Sequence, residues 1–132
     1  MNPYSLLVSL HVITAVFGLG PLLALALVAA APAPVMPVAW FSRLLRMAGF
    51  ALLAMFVTGL LVIRMVHGAL KGATWLQVSV GLFVVLCVVH GVVRWRLKRA
   101  QPGQLPSGLG GLLWTMCGLV AAIAWLMEAK PW

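Results

Sequence analysis

The sequence predicts an all-α, polytopic membrane protein: a four-helix transmembrane bundle forming one domain over residues 1–132. Three observations predict it. Hydrophobic residues make up 64% of the chain and charged residues 8%, whereas a soluble domain carries about 25% charged residues to cover its surface. Four apolar runs, at about 5–30, 44–66, 75–93 and 109–127, match the roughly 20 residues needed to cross a hydrocarbon core. Helix-breaking residues lie between the runs, so each run is expected to be a separate crossing.

The first run has no Lys or Arg before it; the earliest base is Arg43. It therefore lacks the basic region of a signal peptide and exceeds the length of one, so it is expected to stay as a helix. Pro21 falls inside it, has no backbone N–H to donate, and is expected to kink it. Pro32, Pro34 and Pro37 close this run before the second begins. Gly68 and Gly72 loosen the second connection, and Gln101, Pro102, Gly103, Pro106 and Gly108 mark the third.

Nine Lys and Arg against one acid, Glu128, give a formal net charge of +8. The bases flank apolar runs, so the expected partner is the lipid bilayer with its anionic headgroups and not a nucleic acid. Four crossings place Arg43, Arg46, Arg94, Arg96, Lys98 and Arg99 on one side, and Arg64, Lys71 and Lys130 on the other. The positive-inside rule makes the first side cytoplasmic. Both termini are then expected on the outer face of a bacterial inner membrane, the periplasmic side in a Gram-negative cell. Aromatic belts agree: Trp40, Trp95 and Trp114 fall toward the inner interface, and Tyr4, Trp75, Trp125 and Trp132 toward the outer one.

Between lipid-embedded helices, small residues allow close approach. Thr14 and Gly18 of the first helix, Thr58 and Gly59 of the second, Ser79 and Gly81 of the third, and Gly118 and Ala122 of the fourth are expected to line the interior. Such faces also suit assembly into an oligomer.

Polar groups inside the membrane are functional candidates by default. His11 lies roughly 10 Å along the first helix from its start, on one face with Leu7, Thr14 and Gly18. Its imidazole either ligates haem iron or another metal, or hydrogen-bonds a neighbouring helix and holds the bundle together. Arg64 and His67 approach the same leaflet from the second helix. With His11 and His67 on the iron and Arg64 on a propionate, the three form a candidate b-type haem site; alternatively, Arg64 snorkels to the headgroups and His67 is solvated. Cys87 and His90, spaced C-x-x-H, with Cys117 and Met116 on the fourth helix, form a soft-ligand candidate for copper. The alternative is that the cysteines are ordinary buried residues and His90 a packing or interfacial one, with an inner-side ligand role still open.

No Asp or Glu lies within the hydrocarbon core, which argues against a carboxylate-driven proton-coupled transporter. No phosphate loop, nucleophile elbow or zinc-protease motif occurs, and no catalytic residue is assigned. Both cysteines lie within apolar runs, which excludes a disulfide framework.

The opening from Tyr4 to Ile13, with His11 inside it and Gly18-Leu19-Gly20 after it, resembles the first helix of a bacterial superfamily. That superfamily includes the copper-resistance D-like proteins and the small haem-containing protoporphyrinogen oxidases. The close, Met127-x-x-Lys130-Pro131, resembles that of a branch of predicted integral membrane proteins of unknown function. The resemblance implies the four-helix layout and matches His11 to a histidine implicated in haem binding. The oxidases also use a lysine in a later helix, whereas here Lys98 and Lys130 lie at the ends of the third and fourth runs.

The sequence therefore leads to a small membrane protein with His11 as the principal candidate ligand for haem b, in a redox-associated role. The alternatives are a non-enzymatic accessory or oligomeric protein, and a component for metal or small-solute transport.

Overall fold

The computed structural model describes residues 2–31, 37–65, 73–101 and 104–129. It contains four helices, α1 (Pro3–Ala30), α2 (Val38–Met65), α3 (Thr74–Arg99) and α4 (Leu109–Ala129). All four are long and apolar enough to cross a membrane. The chain is a multi-pass membrane protein with an all-α, four-helix fold.

The starts of α1 and α4 have local causes. The Asn2 side chain accepts a hydrogen bond from the Tyr4 amide at 3.2 Å, and Pro3 occupies a first-turn position where its missing N–H costs nothing. Pro21 sits within an uninterrupted α1. Gly108 precedes α4 with φ +73°, a left-handed conformation that costs glycine little. Arg96 of α3 reaches this turn, donating from Nη1 to the Ser107 carbonyl at 3.4 Å.

The helices outrun the apolar segments. α2 begins at Val38 and α3 continues to Arg99, so Arg43, Arg46, Arg94, Arg96, Lys98 and Arg99 stand on helical surfaces and not in connections. A 28-residue helix is about 42 Å long at 1.5 Å per residue. It extends beyond a hydrocarbon core of about 30 Å, and the good helix former Arg carries it into the headgroup layer.

α1 packs against α2 and α4, and α3 against α4 and α2, making a four-sided bundle in which α2 and α3 meet least closely. The buried positions Phe41, Leu45, Ala48, Leu52 and Met55 of α2, and Leu109, Leu113, Met116, Val120 and Ile123 of α4, alternate spacings of four and three. That is the seam of a coiled coil. Outward faces are equally apolar; Phe50 is 72% exposed, as expected for a lipid-facing residue.

The tightest seam, α1 on α2, rests on Gly18. A Cβ there would lie 2.9 Å from Leu52 Cδ2, 3.1 Å from Cγ and 3.4 Å from the Leu52 backbone nitrogen. Gly18→Val is therefore expected to destabilise the bundle by about 1–3 kcal/mol through overpacking. Unfolding in mixed micelles measures this, and a wild-type midpoint would refute the close approach.

Three expectations about small and aromatic residues need correction. Gly81 and Gly118 are exposed, and a Cβ at either would meet nothing within 4 Å. They face outward because the core of their helices is set by Phe83 and Leu86 and by Cys117 and Val120. Gly20 is likewise open. Trp75 stands at the start of α3 but is only 7% exposed, so it packs inward instead of joining a lipid-facing belt. Tyr4, Trp40, Trp95, Trp114 and Trp125 are exposed; Trp132 lies outside the described residues.

Candidate functional site: two histidines seated on α2

His11 is half-buried and faces α2. Its Nδ1 is 2.8 Å from the Met55 carbonyl oxygen and 3.1 Å from Thr58 Oγ1. A carbonyl only accepts, so Nδ1 carries the proton and donates. The Thr58 hydroxyl donates to the Ala54 carbonyl at 2.8 Å, leaving its oxygen free to accept from His11. In the neutral ring with its proton on Nδ1, Nε2 holds the lone pair.

The position of Met55 explains why this carbonyl is reachable. In an α-helix the carbonyl of residue i is bonded to the amide of residue i+4, whose Cβ crowds it. Here residue i+4 is Gly59. A Cβ on Gly59 would lie 3.1 Å from His11 Cε1 and 3.5 Å from Nδ1. Glycine clears the seat that the imidazole takes.

The same device recurs one helix away. His90 of α3 bonds the Leu45 carbonyl through Nε2 at 3.2 Å, and the residue four positions beyond Leu45 is Gly49. A Cβ on Gly49 would lie 2.7 Å from His90 Cε1 and 2.8 Å from Nε2. Two helices thus lay an imidazole on α2, each on a glycine and each bonded to the carbonyl that the glycine uncovers. Both histidines stand out in the sequence as candidates, whereas their shared seat does not. The signal was present as Leu45-x-x-x-Gly49 and Met55-x-x-x-Gly59.

The His11 ring borders a cavity in the half of the bundle where α1 begins and α2 ends, with Gly59, Phe56, Ser79, Phe83 and Ile123 among its walls. Phe56 and Phe83 stack across the α2–α3 seam with centroids 4.4 Å apart and planes 9° from parallel. The Ser79 hydroxyl donates to the Trp75 carbonyl at 2.8 Å. The cavity measures about 30 Å³. One water needs roughly 10–15 Å³ and two or more polar partners, so this apolar space is suited to remain dry. Among the described residues no fully buried side-chain nitrogen or oxygen lacks a hydrogen bond.

The other candidates are placed as follows. Arg64 is exposed near the end of α2. Arg64 on α2 and Glu128 on α4 stand on helices that are diagonal in the bundle. His67 and Lys71 lie outside the described residues. Cys87 is exposed and Cys117 buried, and His90 turns to Leu45. Cys87, His90 and Cys117 do not come together; among the described residues no three His, Cys, Asp or Glu form a group able to hold a metal ion.

A haem on His11 can be tested against this geometry. The donor chemistry fits: a ligating histidine characteristically gives its other ring N–H to a carbonyl, as His11 does. The space does not. A cavity of about 30 Å³ admits no macrocycle unless α2 and α3 part and the Phe56–Phe83 stack opens.

No family model, no curated protein and no solved structure matches this chain.

Proposed function

We propose that the protein is a non-catalytic membrane component, a compact helical unit whose intramembrane histidines fasten helices together. The observation that carries this reading is the pair of imidazoles seated on Gly49 and Gly59, each bonded to an α2 carbonyl. Interhelical bonds of this kind contribute about 0.6 kcal/mol on average and up to about 1.7. They also fix register between helices whose apolar faces would otherwise slide. The concentration of cations at one end supports an orientation with that end in the cytoplasm and both termini outside a bacterial inner membrane. The exposed backbone at Gly81, Gly91, Gly111 and Gly118 leaves room for a second copy or another membrane protein.

A second reading, b-type haem binding in a redox-associated role, draws support from one specific feature: the His11 tautomer leaves Nε2 available. The likeness of the chain's two ends to the copper-resistance D-like and haem-containing oxidase superfamily points the same way. His11 would hold the iron only with α2 and α3 parted and the Phe56–Phe83 stack opened, and the haem would then supply one-electron chemistry. Arg64, at the same end of the bundle, would meet a propionate, and His67 would be the second ligand.

One preparation separates the two. The protein is expressed with ample haem, purified in mild detergent, and its oxidised and dithionite-reduced absorption spectra are recorded. The fastening reading expects no Soret band and lowered unfolding midpoints in both His11→Ala and His90→Ala. A Soret band with sharp reduced α and β bands, lost in His11→Ala and retained in His90→Ala, would establish the haem reading instead.

A further inference from the structure

Six cations gather where α2 begins and α3 ends: Arg43, Arg46, Arg94, Arg96, Lys98 and Arg99. Three are engaged within the chain. The Arg43 guanidinium lies over the Trp40 ring at 5.3 Å and that of Arg99 over Trp95 at 4.3 Å. Arg96 donates to the Ser107 carbonyl. The other three, Arg46, Arg94 and Lys98, have no ring, carbonyl or carboxylate partner among the described residues. These same three line one groove.

The groove lies between α2 and α3 and holds about 190 Å³. Leu45 and Leu97, both buried, form its floor, and half-buried Ser42 completes the α2 wall. Ser42 and Arg46 are four residues apart on α2, as are Arg94 and Lys98 on α3, so each pair shares a face. Two short polar ladders thus meet across an apolar floor. Glu128, the chain's single acid, is near the opposite end of the bundle on α4 and cannot neutralise them.

We propose that this groove binds the phosphate of an anionic phospholipid headgroup. Guanidinium forks match phosphate oxygens in pairs, Ser42 adds a hydroxyl donor, and Lys98 adds a mobile point charge. A lipid suits the site better than a free anion, because the floor is apolar and the groove opens at the end of two membrane-spanning faces. Basic pockets between transmembrane helices are a general means of holding such headgroups. The α2–α3 pair is also the least closely packed in the bundle, so a bound headgroup would bridge the weakest seam.

The test compares two triple variants of equal charge. Arg46→Gln/Arg94→Gln/Lys98→Gln removes the groove cations, and Arg43→Gln/Arg96→Gln/Arg99→Gln removes the engaged ones. Each full-length protein is delipidated in mild detergent and titrated with dioleoyl phosphatidylglycerol, dioleoyl phosphatidylcholine and inorganic phosphate, with bound lipid counted by native mass spectrometry. Unfolding midpoints in phosphatidylcholine alone establish that both variants are folded.

The proposal expects saturable phosphatidylglycerol binding by the wild type, weakened about tenfold or more in the groove variant and little in the control. Equal weakening in both would overturn it, because general surface potential would then account for binding. So would unchanged binding in the groove variant. Inorganic phosphate that binds as tightly as phosphatidylglycerol would overturn the lipid assignment in favour of a free-anion site. A groove variant that does not fold in phosphatidylcholine but is restored by phosphatidylglycerol would also count against the proposal, since the lipid would be acting without these side chains.

Discussion

Gly49→Ala is expected to destabilise the bundle by about 2 kcal/mol, although alanine is the better helix former by about 1 kcal/mol. The new Cβ would lie 2.7 Å from His90 Cε1 and 2.8 Å from Nε2, closer than carbon and nitrogen tolerate. The imidazole is rigid, so relief requires the whole ring to swing away, which breaks its bond to the Leu45 carbonyl. Overpacking typically costs about 1–3 kcal/mol, and the lost interhelical bond adds about 0.6 to 1.7 kcal/mol. Together these exceed the propensity gain. Removing the ring should reverse the sign: in a His90→Ala background, Gly49→Ala should be neutral or stabilising by up to about 1 kcal/mol. Gly81→Ala, where the added Cβ meets no other helix within 4 Å, should behave that way in the wild type. Denaturant titration of the four proteins in the cycle measures the coupling, and simple additivity would mean that the ring is not seated on Gly49.

That cycle bears on how much of the protein could be read before its structure. The four crossings were legible because 20-residue apolar runs have few other uses. The ends of α2 and α3 were not, since hydropathy registers where the hydrocarbon stops and not where the helix does. The inward face was also hidden. Leu52 and Leu53 are adjacent and equally apolar, yet Leu52 is 4% exposed and Leu53 54%. In a soluble helix their contrast with polar neighbours would reveal the seam; in lipid both solvents favour leucine. Glycine was ambiguous for a related reason. Gly59 and Gly81 look alike in sequence, but one seats His11 and the other faces open space. What distinguishes them is the histidine on another helix, a long-range fact that spacing along one helix cannot supply.

The candidate site divides along the same line. His11 was found because an imidazole is costly in hydrocarbon unless something satisfies it. Its partner was not, because any helical carbonyl four residues before a glycine qualifies in principle. The basic groove was equally hidden. All six cations were visible as an excess on one side of the crossings, but which ones are engaged depends on Trp40, Trp95 and Ser107 lying within reach.

His11→Ala should be the most destabilising of the single histidine changes, lowering stability by about 2–3 kcal/mol. His11 lies in the closest helix pair, α1 on α2, and its Nδ1–H serves both the Met55 carbonyl and Thr58 Oγ1. The truncation also enlarges the existing cavity of about 30 Å³ by the volume of the ring, and each further 100 Å³ of void costs about 2.4 kcal/mol. Thr58→Val separates these contributions. It keeps the shape, leaves the Met55 carbonyl as acceptor, and should cost less than about 1 kcal/mol. Gly59→Ala provides the second check, being mildly destabilising in the wild type and harmless once the ring is gone. If His11→Ala instead leaves the unfolding midpoint unchanged, the imidazole is not a fastening. A residue held in hydrocarbon without contributing to stability would then be retained for chemistry, and the available Nε2 would become the place to look for it.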